Sequence, residues 1–581
     1  MVARAGRFLV AALACACERA GPIPEPPGPP IAAQVGSQQA SHAEPVVISI
    51  VGTNDLHGHI GALPILGGYL ANLRRARADS GGAVVLLDGG DMFQGTLESN
   101  LDEGAPVVRA YAALGYDAVA IGNHEFDYGP VGPDATARRP GDDPRGALRS
   151  RIAEAGFPFL SANLTMRSGA VADLGAPSVM IERAGITIGI IGGSTEQTPR
   201  TTIAANVADL AFTGLADAVA SEARRLRDQG ADVVVLAAHA GGKCTVFDDP
   251  GVTASCVDDE EIMAVAGALP PGLVDAIVGG HTHQAMAHRV HGIAVVESYA
   301  HGIAFGRVDL VVDPASGRVL SSTIHPPQRL CGNAQATPEA GVSACAPGVY
   351  EGADVVPDAK VAQLISEPLA RAATLRDRPL GPTLTASFEP SRTRECALGN
   401  LLTDLMLAAR PAHDVAIMNG GGLRATLPAG PLHYGALYEA FPFDNRFATV
   451  RMTAGELGQA IAGYLGHDGS FFSLGGLRAQ AHCDGGRLAV TLSRSNGRRL
   501  RDAEALEILT TDFLATGGDG LFAAVQARAD AVVVEDGPPI REVLADALRK
   551  AGPRKIVPVE YLRPGAPRVG FTGPRPVRCG P

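Results

Sequence analysis

From Val46 onward, the chain alternates short runs that are apolar at nearly every position with longer stretches that are apolar on one side only. The runs are VVISIV (46–51), AVVLLD (83–88), DAVAI (117–121), ITIGII (186–191), DVVVLAA (232–238) and DAIV (275–278). Each is rich in β-branched residues and gives way to glycine or a polar loop, the pattern of a strand covered on both faces. Stretches such as GGYLANLRRARA (67–78) lie between them with helical spacing. The alternation predicts an α/β domain over residues 46–326.

The pattern breaks between 327 and 357, where CGNAQATPEAGVSACAPG (331–348) reads as a boundary. Val361, Leu364, Ile365, Leu369 and Ala372 then share one helical face, and Pro368 is expected to kink that helix. Residues 327–379 therefore read as a linker and a connecting helix. A second domain is expected over 380–565, with a stripe at Leu398, Leu401, Leu402 and Leu405 and a capping box at Thr453 and Glu456. There is no internal repeat, and residues 566–581 read as a loose tail.

Composition narrows the class. Of 581 residues, 46% are hydrophobic and 19% charged, which suits two or three folded domains and excludes a disordered chain. A formal net charge of −12 argues against a binder of nucleic-acid polymers. The first 20 residues pair Arg4 and Arg7 with the apolar run Phe8 to Ala14, a signal-peptide pattern, and the proline-rich residues 21–45 read as a linker. Cys15 follows Ala12, Leu13 and Ala14 as at a lipoprotein cleavage site, with Cys17 as the competing position. The expectation is an exported protein of the periplasm or cell surface, anchored through a lipid at one of these cysteines. Cys244 with Cys256 and Cys331 with Cys345 bracket polar loops, and a local disulfide in each fits export, free thiols being the alternative.

The chemistry is concentrated just beyond the apolar runs. TNDLHGH carries Asp55 and His57, DGGDMFQG carries Asp91, GNHEFD carries Asn123, His124 and Asp127, AAHAGG carries His239, and GGHTHQ carries His281 and His283. Taken singly, the carboxylates and Asn123 read as turn residues and His239 as a core-edge histidine. His59 is left structural. On an extended chain, His281 and His283 would point the same way. Five strand ends bearing oxygen and imidazole donors, without thiolate, suit a pair of divalent cations. Such a pair generates hydroxide and stabilises charge in an in-line displacement at phosphorus.

The order and flanks of this set resemble the metallophosphoesterase domain of the 5′-nucleotidase family, and the resemblance runs over roughly residues 46–565. It implies a four-layer αββα first domain, calcineurin-like, followed by an α/β substrate-binding domain. It implies one cation on Asp55, His57, Asp91 and His283, and a second on the bridging Asp91, Asn123, His239 and His281. The metals implied are zinc or manganese, with magnesium, iron or cobalt as alternatives. His124 and Asp127 match the family's catalytic dyad.

In the second domain the resemblance assigns substrate binding to Arg392, Asn419, Arg424, Phe443, Phe513 and Asp519. A base would stack between the two phenylalanines, with Asp519 on the ribose hydroxyls. Alone, each phenylalanine reads as core. The sequence departs from many relatives at Asp444, where they have glycine, and at Ser391, where some have a cysteine paired with position 396.

The implied activity is hydrolysis of a nucleoside 5′-phosphate to nucleoside and phosphate by metal-bound hydroxide. The alternatives on the same scaffold are a 2′,3′-cyclic-nucleotide phosphodiesterase/3′-nucleotidase, a UDP-sugar hydrolase and a sulfate-ester hydrolase. A non-catalytic surface binding protein predicts damaged ligand positions, and none is damaged.

Overall fold

The computed structural model describes residues 44–332, 345–467, 470–526, 528, 530–563 and 565–579. The leader (1–20) with Cys15 and Cys17, and nearly all of the following linker, lie outside the described residues.

The six apolar runs form six strands: β1 (Val46–Thr53), β2 (Ala83–Asp88), β3 (Ala118–Ala120), β4 (Ile186–Ser194), β5 (Val233–His239) and β6 (Ala276–Val278). They are divided between two six-stranded sheets. In the first, β1, β2 and β3 are parallel neighbours, and Ala304–Asp313 and then Arg318–Arg329 continue it antiparallel beyond β1. In the second, β6, β5 and β4 are parallel neighbours, with Ile293–Ser298 beyond β6.

Burial follows the two-residue period of each strand. Ile48, Ile50, Val85 and Leu87 of the first sheet meet Ile188, Ile190, Val233 and Val235 of the second in one core. The opposite faces are covered by helices. Val51 and Leu86 pack with Leu66, Leu70, Val107 and Tyr111. On the far side, Ile191, Val234 and Leu236 pack with Leu215, Val219 and Ile262. The layering is α, β, β, α, so each strand is apolar on both faces, as its sequence requires.

The helix Ala359–Arg376 continues through Pro368, whose ring nitrogen has no proton to donate. Val361, Ile365 and Ala372 are buried, but Leu364, expected on the same face, is 42% exposed. In the second half, the strands Val415–Asn419 and Ala505–Thr511 run parallel in a five-stranded sheet. The stripe Leu398, Leu401, Leu402 and Leu405 is buried against it, and Thr453 and Glu456 form the expected capping box.

The tail is not loose. Val569–Gly570 pairs with the strand Leu477–Asp484, and Cys579 is bonded to Cys483. The local disulfides Cys244–Cys256 and Cys331–Cys345 are both present. Cys396 is free and buried, and Ser391 Oγ accepts the N–H of Arg394.

Candidate active site

All five motifs emerge at the carboxyl ends of parallel strands, where an open α/β sheet leaves room for a ligand. The two sheets bring them to one place. Asp55, His57 and His283 offer ligand atoms within 4.8 Å of one another, and so do Asp91, His239 and His281. Asp91 links the groups, its Oδ2 lying 3.1 Å from His239 Nε2 and 3.8 Å from His57 Nε2. Asn123 Oδ1 joins the second group, 2.9 Å from His239 Nε2.

His281 and His283 do not lie on an extended chain. Both have positive φ, 83° and 57°, and the turn sends them to different groups. His281 Nδ1 is 3.1 Å from His239 Nε2, whereas His283 Nε2 is 3.0 Å from His57 Nε2. Asp55, His57 and Asp91 are also left-handed, at 49°, 48° and 58°. A non-glycine residue there costs on the order of 1 kcal/mol. Strain gathered on five candidate ligands marks a site imposed by its surroundings. Gly122 is required by close approach, since a Cβ there would stand 2.3 Å from Asp91 Oδ1.

The donors are prepared for cations. His57 Nδ1 is 2.7 Å from Gln94 O and His239 Nδ1 is 2.8 Å from Gly89 O, so each ring donates there and turns its Nε2 inward. Asp55 Oδ1 is buried and accepts no hydrogen bond. Burial pushes the Asp55 carboxyl up to about 6 and holds His281 down at about 3, with His57 and His283 also well below the ordinary imidazole range. Burial acts the same way on Asp91 and His239, but their mutual attraction prevails, lowering Asp91 and raising His239. Neutral rings at His57, His281 and His283, with an orphaned carboxylate oxygen on Asp55, fit a pair of divalent cations.

Beside them, His124 Nδ1 lies 2.6 Å from Asp127 Oδ2 within one turn. Burial opposes protonation of His124, but Asp127 and Asp91 outweigh it and raise its pKa. From the second half, Arg424 Nη2 reaches to 3.3 Å from His57 Nε2 and its guanidinium stands 5.7 Å from the Phe443 ring centroid. Burial and then the nearby Arg392 lower Arg424 to about 9. Phe443 lies 5.5 Å from the His124 ring. Asn419 Nδ2 donates to Asp519 Oδ2 at 2.8 Å, and Phe513 packs against Gly518. One cavity is lined by Asp91, Asn123, His124, Asp127, His281 and His283 together with Arg392, Asn419, Arg424, Phe443, Phe513 and Asp519.

Asp444 turns away from this cavity and pairs with Arg541. The same guanidinium donates to Phe441 O and Phe443 O and stands 4.0 Å from the Tyr438 centroid, fixing the loop that presents Phe443. His59 stacks on His301 at 4.2 Å.

Sequence reasoning passed over Glu125, whose carboxylate accepts the N–H groups of Asp91, Met92 and Gly122. It also passed over Glu297, which receives Gly242 N–H and Thr282 Oγ1 and so ties the His239 loop to the His281 loop. Glu125 lies inside the GNHEFD motif and could have been found there; Glu297 has no such mark.

A four-layer fold with these donor groups at its strand ends defines a phosphoesterase of the calcineurin-like class. The profile described as Calcineurin-like phosphoesterase matches residues 48–285, and the one described as 5′-nucleotidase, C-terminal domain, matches residues 372–527. The chain belongs to the 5′-nucleotidase family and is a phosphoesterase hydrolase. It is 26% identical over 508 residues to Protein UshA of Yersinia enterocolitica, spanning 81% of this chain and 86% of that one. Two solved structures share the fold. A 5′-nucleotidase precursor from Thermus thermophilus has a TM-score of 0.67 at 24% identity, covering 88% of this chain and 99% of its own. The Thermus thermophilus sulfate thiohydrolase SoxB in complex with glycerol has a TM-score of 0.65 at 17% identity, covering 92% and 98%.

Proposed function

We propose that the protein is an exported, metal-dependent 5′-nucleotidase that hydrolyses nucleoside 5′-phosphates to nucleoside and orthophosphate. The observation that carries this reading is the single cavity lined by both cation-type donors and a pair of phenylalanines with Asp519. Residues 46–326 are the catalytic domain and 380–565 the substrate-binding domain in this reading.

Asp55, His57, Asp91 and His283 would hold one cation, and Asp91, Asn123, His239 and His281 the other, zinc or manganese being suited to this donor set. When bound, the pair supplies Lewis acidity and acidifies water at the reacting phosphorus. His124 donates to a phosphoryl oxygen as charge builds, while Asp127 keeps the ring aimed. Arg392 and Arg424 bind phosphate oxygens, Phe443 and Phe513 stack the base, and Asp519, steadied by Asn419, accepts from the ribose hydroxyls.

The fold alone also accommodates a sulfate thiohydrolase. The aromatic pair favours a substrate with a flat base over a sulfur carrier that offers nothing to stack. Among the described residues, three disulfides support an oxidising compartment, and no helix is long and apolar enough to cross a membrane. Attachment is through lipid on Cys15 or Cys17 in this reading, and the mass of the mature amino terminus reports it.

Turnover of AMP, ATP, UDP-glucose and 2′,3′-cAMP, measured side by side, tests the substrate. AMP is expected to have the highest kcat/KM, by about tenfold or more, with activity abolished by a strong chelator and restored by zinc or manganese. Preference for UDP-glucose or the cyclic nucleotide transfers the protein to a sister activity, and indifference to chelation overturns the mechanism.

A further inference from the structure

The His124–Asp127 pair has a third member on a different strand's loop. Thr202 Oγ1 donates to Asp127 Oδ1 at 2.7 Å, while Asp127 Oδ2 faces His124 Nδ1 at 2.6 Å. Thr202 is 1% exposed yet lines the cavity, and it follows the short helix Thr198–Thr201 beyond β4. The backbone N–H of Thr202 closes that helix onto Thr198 O, so its hydroxyl is not needed for capping and is turned to the carboxylate.

The segment carrying Thr202 is anchored on several sides. The carbonyl of Thr201 accepts Asn123 Nδ2 at 3.1 Å. Thr195 Oγ1 donates to Glu261 Oε2, and Asn206 Nδ2 donates to Phe126 O in the turn bearing the pair. The turn Gly518–Gly520, which holds Asp519, packs against the helix Thr198–Thr201.

A carboxylate held through one oxygen can still swing about its Cβ–Cγ bond, and the imidazole it holds swings with it. A second hydrogen bond to the other oxygen, from a buried group on an independently anchored segment, fixes the carboxylate plane. We infer that Thr202 is a positioning residue for the hydrolysis: it locks Asp127 so that His124 Nε2 stays aimed at the phosphoryl oxygen. The inference rests on the assignment of His124 and Asp127 as the catalytic dyad. Thr202 touches neither substrate nor cation in this role.

The test is a double-mutant cycle on the metal-loaded full chain, read with p-nitrophenyl phosphate and with AMP. Thr202→Val keeps the shape and removes the hydroxyl. It is expected to lower kcat about tenfold with KM, metal content and thermal midpoint unchanged, while Thr202→Ser stays within about twofold of the parent. In an Asp127→Asn background, Thr202→Val is expected to cost nothing further.

If Thr202→Val is as active as the parent while Asp127→Asn is damaged, the inference alone falls. If Thr202→Val costs the same in both backgrounds, its role is structural and the inference again falls. A fully active Asp127→Asn overturns the dyad and this inference with it. Thr202→Ala replaces Thr202→Val in the cycle should the valine variant fail to fold.

Discussion

An imidazole binds a cation only through a nitrogen without a proton, and the carbonyls of Gln94 and Gly89 take up Nδ1 of His57 and His239, leaving Nε2 as the nitrogen aimed at a cation. His283 lies beside His57 and Asp55, whereas His281 lies beside His239 and Asp91, so a change at 283 reaches one group of donors and leaves the other. His283→Gln is expected to weaken one of two zinc or manganese affinities by about tenfold or more, with the other within about twofold. Calorimetric titration of the metal-free protein reads both, and equal weakening of the two would contradict the separation. The family resemblance already assigns the two to different cations; only the i, i+2 spacing suggests a shared direction, because such a pair points one way on an extended chain. The positive φ of both residues, which nothing in GGHTHQ announces, is what divides them.

At the scale of elements, the six central strands were legible because a strand covered on both faces has no polar positions to hide. Their division between two sheets was legible only through the family resemblance, since an apolar run does not say which neighbour it will pair with. The metal-type residues were legible for the same reason that the strands were: each stands where an apolar run stops. Glu297 was silent, because a carboxylate that accepts Gly242 N–H from a distant loop looks like any other glutamate.

The tail was misread because its tether is long-range. Cys483 and Cys579 are 96 residues apart, and closing a loop of that length removes roughly 4 to 5 kcal/mol of unfolded-state entropy. Cys579→Ser is expected to lower the thermal midpoint by about 5 °C and to open the chain after residue 565 to proteolysis, with activity retained. An unchanged midpoint and protease pattern would show that the strand pairing alone holds the tail.

For the whole molecule, one source of resistance to acid is Asp309. Its carboxylate accepts from Ser49 of β1, from Arg77 of the helix Leu63–Asp79, from Arg307 and from His325, and Arg307 in turn reaches Glu351. Burial raises this carboxyl, but the hydrogen bonds from His325, Arg307 and Ser49 outweigh it and hold it below the usual carboxylate range. A carboxyl depressed in the folded state stabilises above its unfolded pKa of about 3.9, and the contribution fades as pH falls toward the folded value. Asp309→Asn is expected to cost about 2 kcal/mol near neutral pH, a difference that shrinks below about pH 4. Denaturant titrations of both proteins across that range check it; a difference independent of pH would refute it.

The cavity draws its cation donors from one half of the chain and its aromatic pair from the other. On the proposed function, bond breaking and recognition of the base are thereby written in separate stretches of sequence. The loop that Arg541 braces presents Phe443 from the second half, so it can vary while the left-handed donors of the first half keep their own sequence. On the proposed function, new specificities on this scaffold can therefore arise by changes in the loop bearing Phe443, while Arg424, which reaches His57, has to be inherited with the hydrolytic half.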